Sequence, residues 1–178
     1  MTFKNDILIQ ELTELIKSAG EEVLKIYNSN NFETKKKKDN SPITKADLLS
    51  NKILFEGLPK IEDYPIASEE TPVDYNIRKT WEKFWMIDPI DGTKDFIAKN
   101  DEFTINIALI ENNKPILGLI YAPALNELYW GIKNLGAFKN GNRIFNNSTR
   151  KEIIGTCSRF HSNDETTNFF INQYSGKN

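Results

Sequence analysis

Phe103-Thr104-Ile105-Asn106-Ile107-Ala108-Leu109-Ile110 is the stretch that decides the fold. Phe103, Ile105, Ile107 and Leu109 alternate with Thr104, Asn106, Ala108 and Ile110, the period of a strand with one face against a core. Asn112-Asn113 then marks a turn. Ile116 to Tyr121, Glu127 to Ile132 and Ala137 to Phe145 are further strand candidates, separated by Pro123, Gly136 and the Asn140-Gly141 turn signal. A run of short strands joined by turns predicts a largely antiparallel sheet.

Upstream of that run the period lengthens. Leu8, Leu12, Leu15, Ile16, Ala19, Val23, Ile26 and Tyr27 recur in steps of three and four, which predicts an amphipathic helix from Ile7 to Tyr27. Residues 28–41 break the pattern with Asn, Ser and the run Lys35-Lys36-Lys37-Lys38, read as a solvated polar loop in preference to a phosphate clamp. Thr44 is placed to cap a second helix with Asp47 three residues on, and Gly57 and Pro59 are read as its end. Tyr64 to Ala67 and Phe84 to Ile87 read as short strands that deliver Ser68-Glu69-Glu70 and Asp88 at their ends. Two N-terminal helices packed on a largely antiparallel sheet is an α+β architecture. Farther on, Ile153 to Cys157 is another strand candidate and Asp164 to Tyr174 a helix candidate. This predicts one α+β domain over residues 1–150 and the start of a second α/β domain over 151–178.

Composition narrows the function classes. Of 178 residues, 39% are hydrophobic and the net charge is −2, so no whole-chain field draws in nucleic acid or an acidic membrane. An anionic ligand must be recognised locally. No secretory signal pattern or membrane-spanning run is visible. Cys157 is the only cysteine, which rules out an internal disulfide and fits a reducing compartment. The expectation is a cytoplasmic protein, free or peripheral at the inner face of the membrane, with no nucleic-acid partner and no integral membrane segment. The sequence leaves the oligomeric state open.

The chemistry concentrates in Trp85-Met86-Ile87-Asp88-Pro89-Ile90-Asp91-Gly92-Thr93-Lys94-Asp95-Phe96. Two carboxylates straddle a proline after an apolar strand and before a glycine. Pro89 fixes its own φ and Gly92 relaxes steric limits, so both carboxylates and the Ile90 carbonyl can turn towards one point. With Glu69 and Glu70 at a second strand end, this is a set of hard oxygen donors of the kind Mg2+ takes. Carboxylates brought together without a cation repel each other. An ordinary Asp-Gly turn is the plainer reading of the motif taken alone. The phospho-aspartate pattern of haloacid dehalogenases needs its acids two residues apart, whereas these are three apart.

These motifs resemble the signature W-x-x-D-P-x-D-G-T of the inositol monophosphatase superfamily, and the chain is similar to its bacterial bisphosphate-nucleotidase branch. Supporting matches are Ser41-Pro42-Ile43-Thr44-Lys45-Ala46-Asp47, Ala67-Ser68-Glu69-Glu70 and Phe103 to Ile110. The resemblance implies Glu69, Asp88, the Ile90 carbonyl and Asp91 as ligands of two or three Mg2+ ions. It implies Asp47 and Thr93 as the pair that orients and deprotonates the attacking water. Glu69, Ile90, Asp91, Gly92 and Thr93 are the implied contacts to substrate, a small phosphorylated molecule. The implied reaction is Mg2+-dependent hydrolysis of 3′-phosphoadenosine 5′-phosphate to AMP and phosphate, with inositol monophosphatase activity as the alternative. Family members also carry a Trp-Asp motif whose Asp completes the second metal site, and none of Trp81, Trp85 and Trp130 is followed by Asp. A non-catalytic metal-binding fragment is therefore the alternative of a different class. Glu70 is read as a surface acid or a ligand through water, and Asp95 as a departure that bears on substrate preference. His161 is read as structural or exposed and Cys157 as a core residue.

Overall fold

In the computed structural model, residues 3–37 and 40–146 are described, together with Glu165, Asn168 and Phe169. The helix α1 spans Phe3–Ser29. Its apolar stripe of Leu12, Ile16, Ala19 and Val23 is fully buried, as the three-and-four spacing requires. A short hairpin follows, with β1 at Lys35–Lys36 antiparallel to β2 at Pro42–Ile43.

The second helix, α2, spans Lys45–Ile61 and begins in a full capping box. The Thr44 side chain accepts from the backbone of Ala46 and Asp47, and the Asp47 side chain accepts from the Thr44 backbone N–H. Gly57 and Pro59 do not end it. A Cβ added at Gly57 would lie 2.3 Å from Leu15 Cδ1, so the glycine marks a close approach of α2 to α1. Pro59 falls in the last turn of the helix.

Seven strands make the main sheet: β3 Ile66–Ser68, β4 Lys83–Asp91, β5 Thr104–Glu111, β6 Lys114–Ala122, β7 Glu127–Ile132, β8 Gly136–Lys139 and β9 Asn142–Ile144. They lie side by side in chain order; β3 and β4 are parallel and every later pair is antiparallel. The expected strand from Ala137 to Phe145 is thus a hairpin folded at Asn140-Gly141. The short helices α3, Tyr75–Arg78, and α4, Thr93–Ala98, flank β4 and had no periodic signal of their own. The chain is an α+β fold, as the change of period predicted.

The core lies between the two long helices and one face of the sheet. Trp85, Ile87, Ile105, Ile107 and Leu119 are buried there, and Trp85 Nε1 donates to the Glu62 carbonyl at 3.0 Å. Along β4 the side chains alternate, so Met86 is 44% exposed between buried neighbours and Asp88 follows on its face. Residues 1–144 form one compact unit. Residues 145–178 form a second, in which Glu165, Asn168 and Phe169 are helical. The expected strand Ile153–Cys157, with Cys157 and His161, lies outside the described residues.

Candidate active site

The site is assembled at the ends of four elements: the start of α2, the ends of β3 and β4, and the start of α4. The α2 capping box buries Asp47, whose Oδ2 accepts from Thr44 N at 2.7 Å and from Thr44 Oγ1 at 2.5 Å. Its Oδ1 accepts from Thr93 Oγ1 at 3.1 Å. Capping and chemistry therefore use different oxygens of one carboxylate. One helical turn along, Ser50 Oγ donates to the Pro89 carbonyl at 2.8 Å, which ties the first turns of α2 to the Asp88-Pro89-Ile90-Asp91 segment. Burial raises the Asp47 pKa above its usual value, against the opposing pull of hydrogen bonds from Thr44 and Thr93.

The Asp-Pro-Ile-Asp segment is not a turn that follows a strand. It is the end of β4, which stays paired with β5 at Asp88↔Asn106 and again at Asp91↔Thr104, with a bulge between. The extra length re-aims successive side chains: Ile90 is buried and Asp91 exposed. Gly92 then turns the chain with φ at +91°, and a Cβ there would meet the Glu102 carbonyl oxygen at 2.9 Å. No side chain fits. Thr93 begins α4, and its hydroxyl is shared between Asp47 and the Ile90 carbonyl, 3.3 Å away. Asn100 Nδ2 donates to Asp95 Oδ1 at 2.6 Å, so Asp95 braces the segment after α4.

Asp88 carries the clearest electrostatic signal. Burial, with the like charges of Glu69 and Asp91, pushes its carboxyl up to about 7. Its Oδ1 is buried with no hydrogen-bond partner, the one such side-chain atom among the described residues. An orphaned anionic oxygen beside further carboxylates is what a hard divalent cation satisfies. The donors are all oxygens, so the residues present fit such an ion. Even so, among the described residues no three acidic, His or Cys side chains enclose a common point.

Lys37 engages two of the neighbouring acids. Its Nζ bridges Glu69 Oε1 at 2.6 Å and Glu70 Oε1 at 2.7 Å, with only 19% of its side chain exposed. Burial works against this ammonium, but its hydrogen bonds to Glu69 and Glu70 prevail and raise its pKa. The expectation of a wholly solvated lysine run is corrected at this position: Lys35 and Lys36 are exposed, whereas Lys37 is drawn in by two carboxylates. Glu70 is no surface acid either, because its side chain is 4% exposed and burial raises its pKa. The pairing of β1 with β2 sets Lys37 opposite the β3 end, a juxtaposition with no trace in local sequence.

Sequence and fold both define a family for this arrangement. Residues 4–178 match the model of the inositol monophosphatase family, and the chain belongs to that family. Within it, the chain is 36% identical over 168 residues to the 3′(2′),5′-bisphosphate nucleotidase CysQ of Salmonella typhimurium, covering 91% of this chain and 68% of that protein. It is 40% identical over 124 residues to the CysQ of Escherichia coli K12, covering 68% of this chain and 50% of that protein. The crystal structure of CysQ from Bacteroides thetaiotaomicron superposes with a TM-score of 0.74 at 30% identity, over 98% of this chain and 70% of that one. A Thermotoga maritima inositol monophosphatase gives 0.75 at 28% identity, over 92% and 62%. The chain thus spans about half to two thirds of the length of these relatives.

Proposed function

We propose that this chain is a Mg2+-dependent phosphomonoesterase, or the catalytic metal-binding part of one, acting on 3′-phosphoadenosine 5′-phosphate. The residues that would hold the metal all lie in the first compact unit, residues 1–144. The observation that carries the reading is the buried, unpartnered Asp88 Oδ1 on a carboxyl pushed up to about 7. Burying a carboxylate oxygen without a donor is costly, and such sites cluster where function needs them.

Glu69, Asp88, the Ile90 carbonyl and Asp91 would hold the ions. An ion held there would make a nearby water more acidic and would offset charge on the ester oxygens. The chain's own residues do the rest. Asp47 Oδ1 accepts the Thr93 hydroxyl proton, which leaves a Thr93 lone pair to accept from a water and aim it at phosphorus. Asp47 cannot drift, because Thr44 holds its other oxygen at two points. Gly92 and Thr93, at the start of α4, offer backbone N–H groups to the phosphate. The nucleotide substrate is favoured over an inositol phosphate by the likeness to the Salmonella and Escherichia CysQ proteins.

Phosphate release from 3′-phosphoadenosine 5′-phosphate and from inositol 1-phosphate, with and without Mg2+, tests this directly for the chain and its Asp91→Ala variant. The expected result is Mg2+-dependent release that prefers the nucleotide and falls at least ~100-fold in the variant. No release, with a melting temperature that still rises on Mg2+ addition, would replace this reading with that of a non-catalytic metal-binding chain.

A further inference from the structure

The turn bearing Arg78 contributes nothing to the core, since no residue of α3 is buried. It is nevertheless held in shape. Asp74 Oδ1 accepts from Asn76 N at 2.8 Å, Asp74 O accepts from Ile77 N and Arg78 N, and Arg78 O accepts from Trp81 N at 3.1 Å. Trp81 is in turn fixed against Phe84, ring centroids 5.7 Å apart. An exposed segment fixed this way displays its side chains without being needed for packing.

What it displays is cationic. Arg78 Cζ lies 5.7 Å from the centre of the Tyr75 ring, which steadies the guanidinium without neutralising it. Among the described residues no carboxylate is within ion-pairing distance of it. Arg78 lines a cavity of about 840 Å³ whose lining also includes Glu69, Asp88 and Asn106. The neighbouring cation, Lys79, donates to Asn76 Oδ1 and does not line that cavity. So one cavity has the carboxylates of the proposed metal site in its wall and, from a separate element, an unneutralised planar fork of donors. The chain as a whole carries a net charge of −2 and draws no anion by its overall field. A guanidinium matches a phosphate bidentately.

We infer that Arg78 holds the second, uncleaved phosphate of a bisphosphate substrate, and so makes the site prefer bisphosphates to monophosphates. This rests on the phosphomonoesterase reading above. Its test separates the two by measuring binding as well as turnover. Calorimetric affinities for adenosine 3′,5′-bisphosphate and for 3′-AMP, with Ca2+ present to suppress turnover, are taken for the unaltered chain, Arg78→Ala, Arg78→Lys and Lys79→Ala. KM values with Mg2+ accompany them.

Arg78→Ala is expected to weaken the bisphosphate at least ~10-fold and 3′-AMP less than ~2-fold, as for loss of one charge-assisted contact. Arg78→Lys is expected to recover part of the loss, because it restores charge but not the fork, and Lys79→Ala to change neither ligand. Equal weakening of both ligands in Arg78→Ala, no weakening, or no binding of the bisphosphate to the unaltered chain would each overturn the inference. Arg78-dependent binding without phosphate release would uphold Arg78 as the contact to the second phosphate and sink the enzymatic reading alone.

Discussion

Lys37 and Asp88 hold opposite positions in the same charge problem. Lys37 satisfies Glu69 and Glu70 with a tethered ammonium, while Asp88 is left with a raised pKa and an orphaned oxygen. Replacing Lys37 by Met leaves two neighbouring carboxylates uncompensated, one of them buried, at a cost of about 1–3 kcal/mol. The melting temperature of the metal-free protein should fall by ~3–10 °C. Mg2+ should restore part of that loss, and an unchanged melt in EDTA would remove Lys37 from this role. For Asp88 the sign runs the other way. Its folded pKa lies above its unfolded value, so its contribution to stability is present at low pH and is lost as pH rises towards 7. Asp88→Asn should therefore stabilise the metal-free chain at pH 8 and leave it unchanged near pH 4. In the unaltered protein, protons compete with the ion. Mg2+ affinity should weaken as pH drops from 8 to 6, by up to ~10-fold per unit below 7, and titrations monitored by melting at several pH values would show it.

Among the elements, α2 matters most to the site, because its first turns position both Asp47 and the Pro89 carbonyl. Ser50 and Asp47 are three residues apart, so they share a helix face that meets the end of β4. Ser50→Ala frees the Pro89 carbonyl at a cost of about 1 kcal/mol in stability. Because that carbonyl precedes Ile90, the substitution should lower kcat by ~10-fold with little change in KM, a split that steady-state kinetics would reveal. At the far end of α2, Gly57→Ala drives a methyl into Leu15 and should cost about 1–3 kcal/mol, read from denaturant midpoints, without altering affinity for Mg2+. A loss of activity in proportion to stability would be equally informative, since it would mean that α2 moves as a unit.

For the whole molecule, metal binding and folding are linked. An ion that binds only the folded chain stabilises it by about 2.7 kcal/mol at a hundredfold excess over its Kd. Saturating Mg2+ should therefore raise the melting temperature by ~5–10 °C, and EDTA should reverse it. No helix among the described residues is long and apolar enough to cross a membrane. The sheet has one face under the helices and another where Met86 and Ile120 are largely exposed, 44% and 49%. The carboxylates at the end of β4 lie where these two environments meet, which is how one strand both anchors the core through Trp85 and presents Asp88.

Periodicity, with the Thr44 cap and the turn residues, determined the α+β class, the two long helices and the successive hairpins, because steps of three and four or of two residues follow from which faces must be buried. The composition of Asp88-Pro89-Ile90-Asp91-Gly92-Thr93 likewise marked where the chemistry would gather. Tertiary structure decided what that motif is made to do. It extended β4 through Pro89 with a bulge, drew Lys37 from a polar loop onto Glu69 and Glu70, buried Glu70, and brought Thr93 to Asp47 across 46 residues of chain. None of these follows from local pattern. Each depends on long-range pairing that sets local dielectric and charge balance, and a carboxylate's role follows from those surroundings more than from its neighbours in sequence.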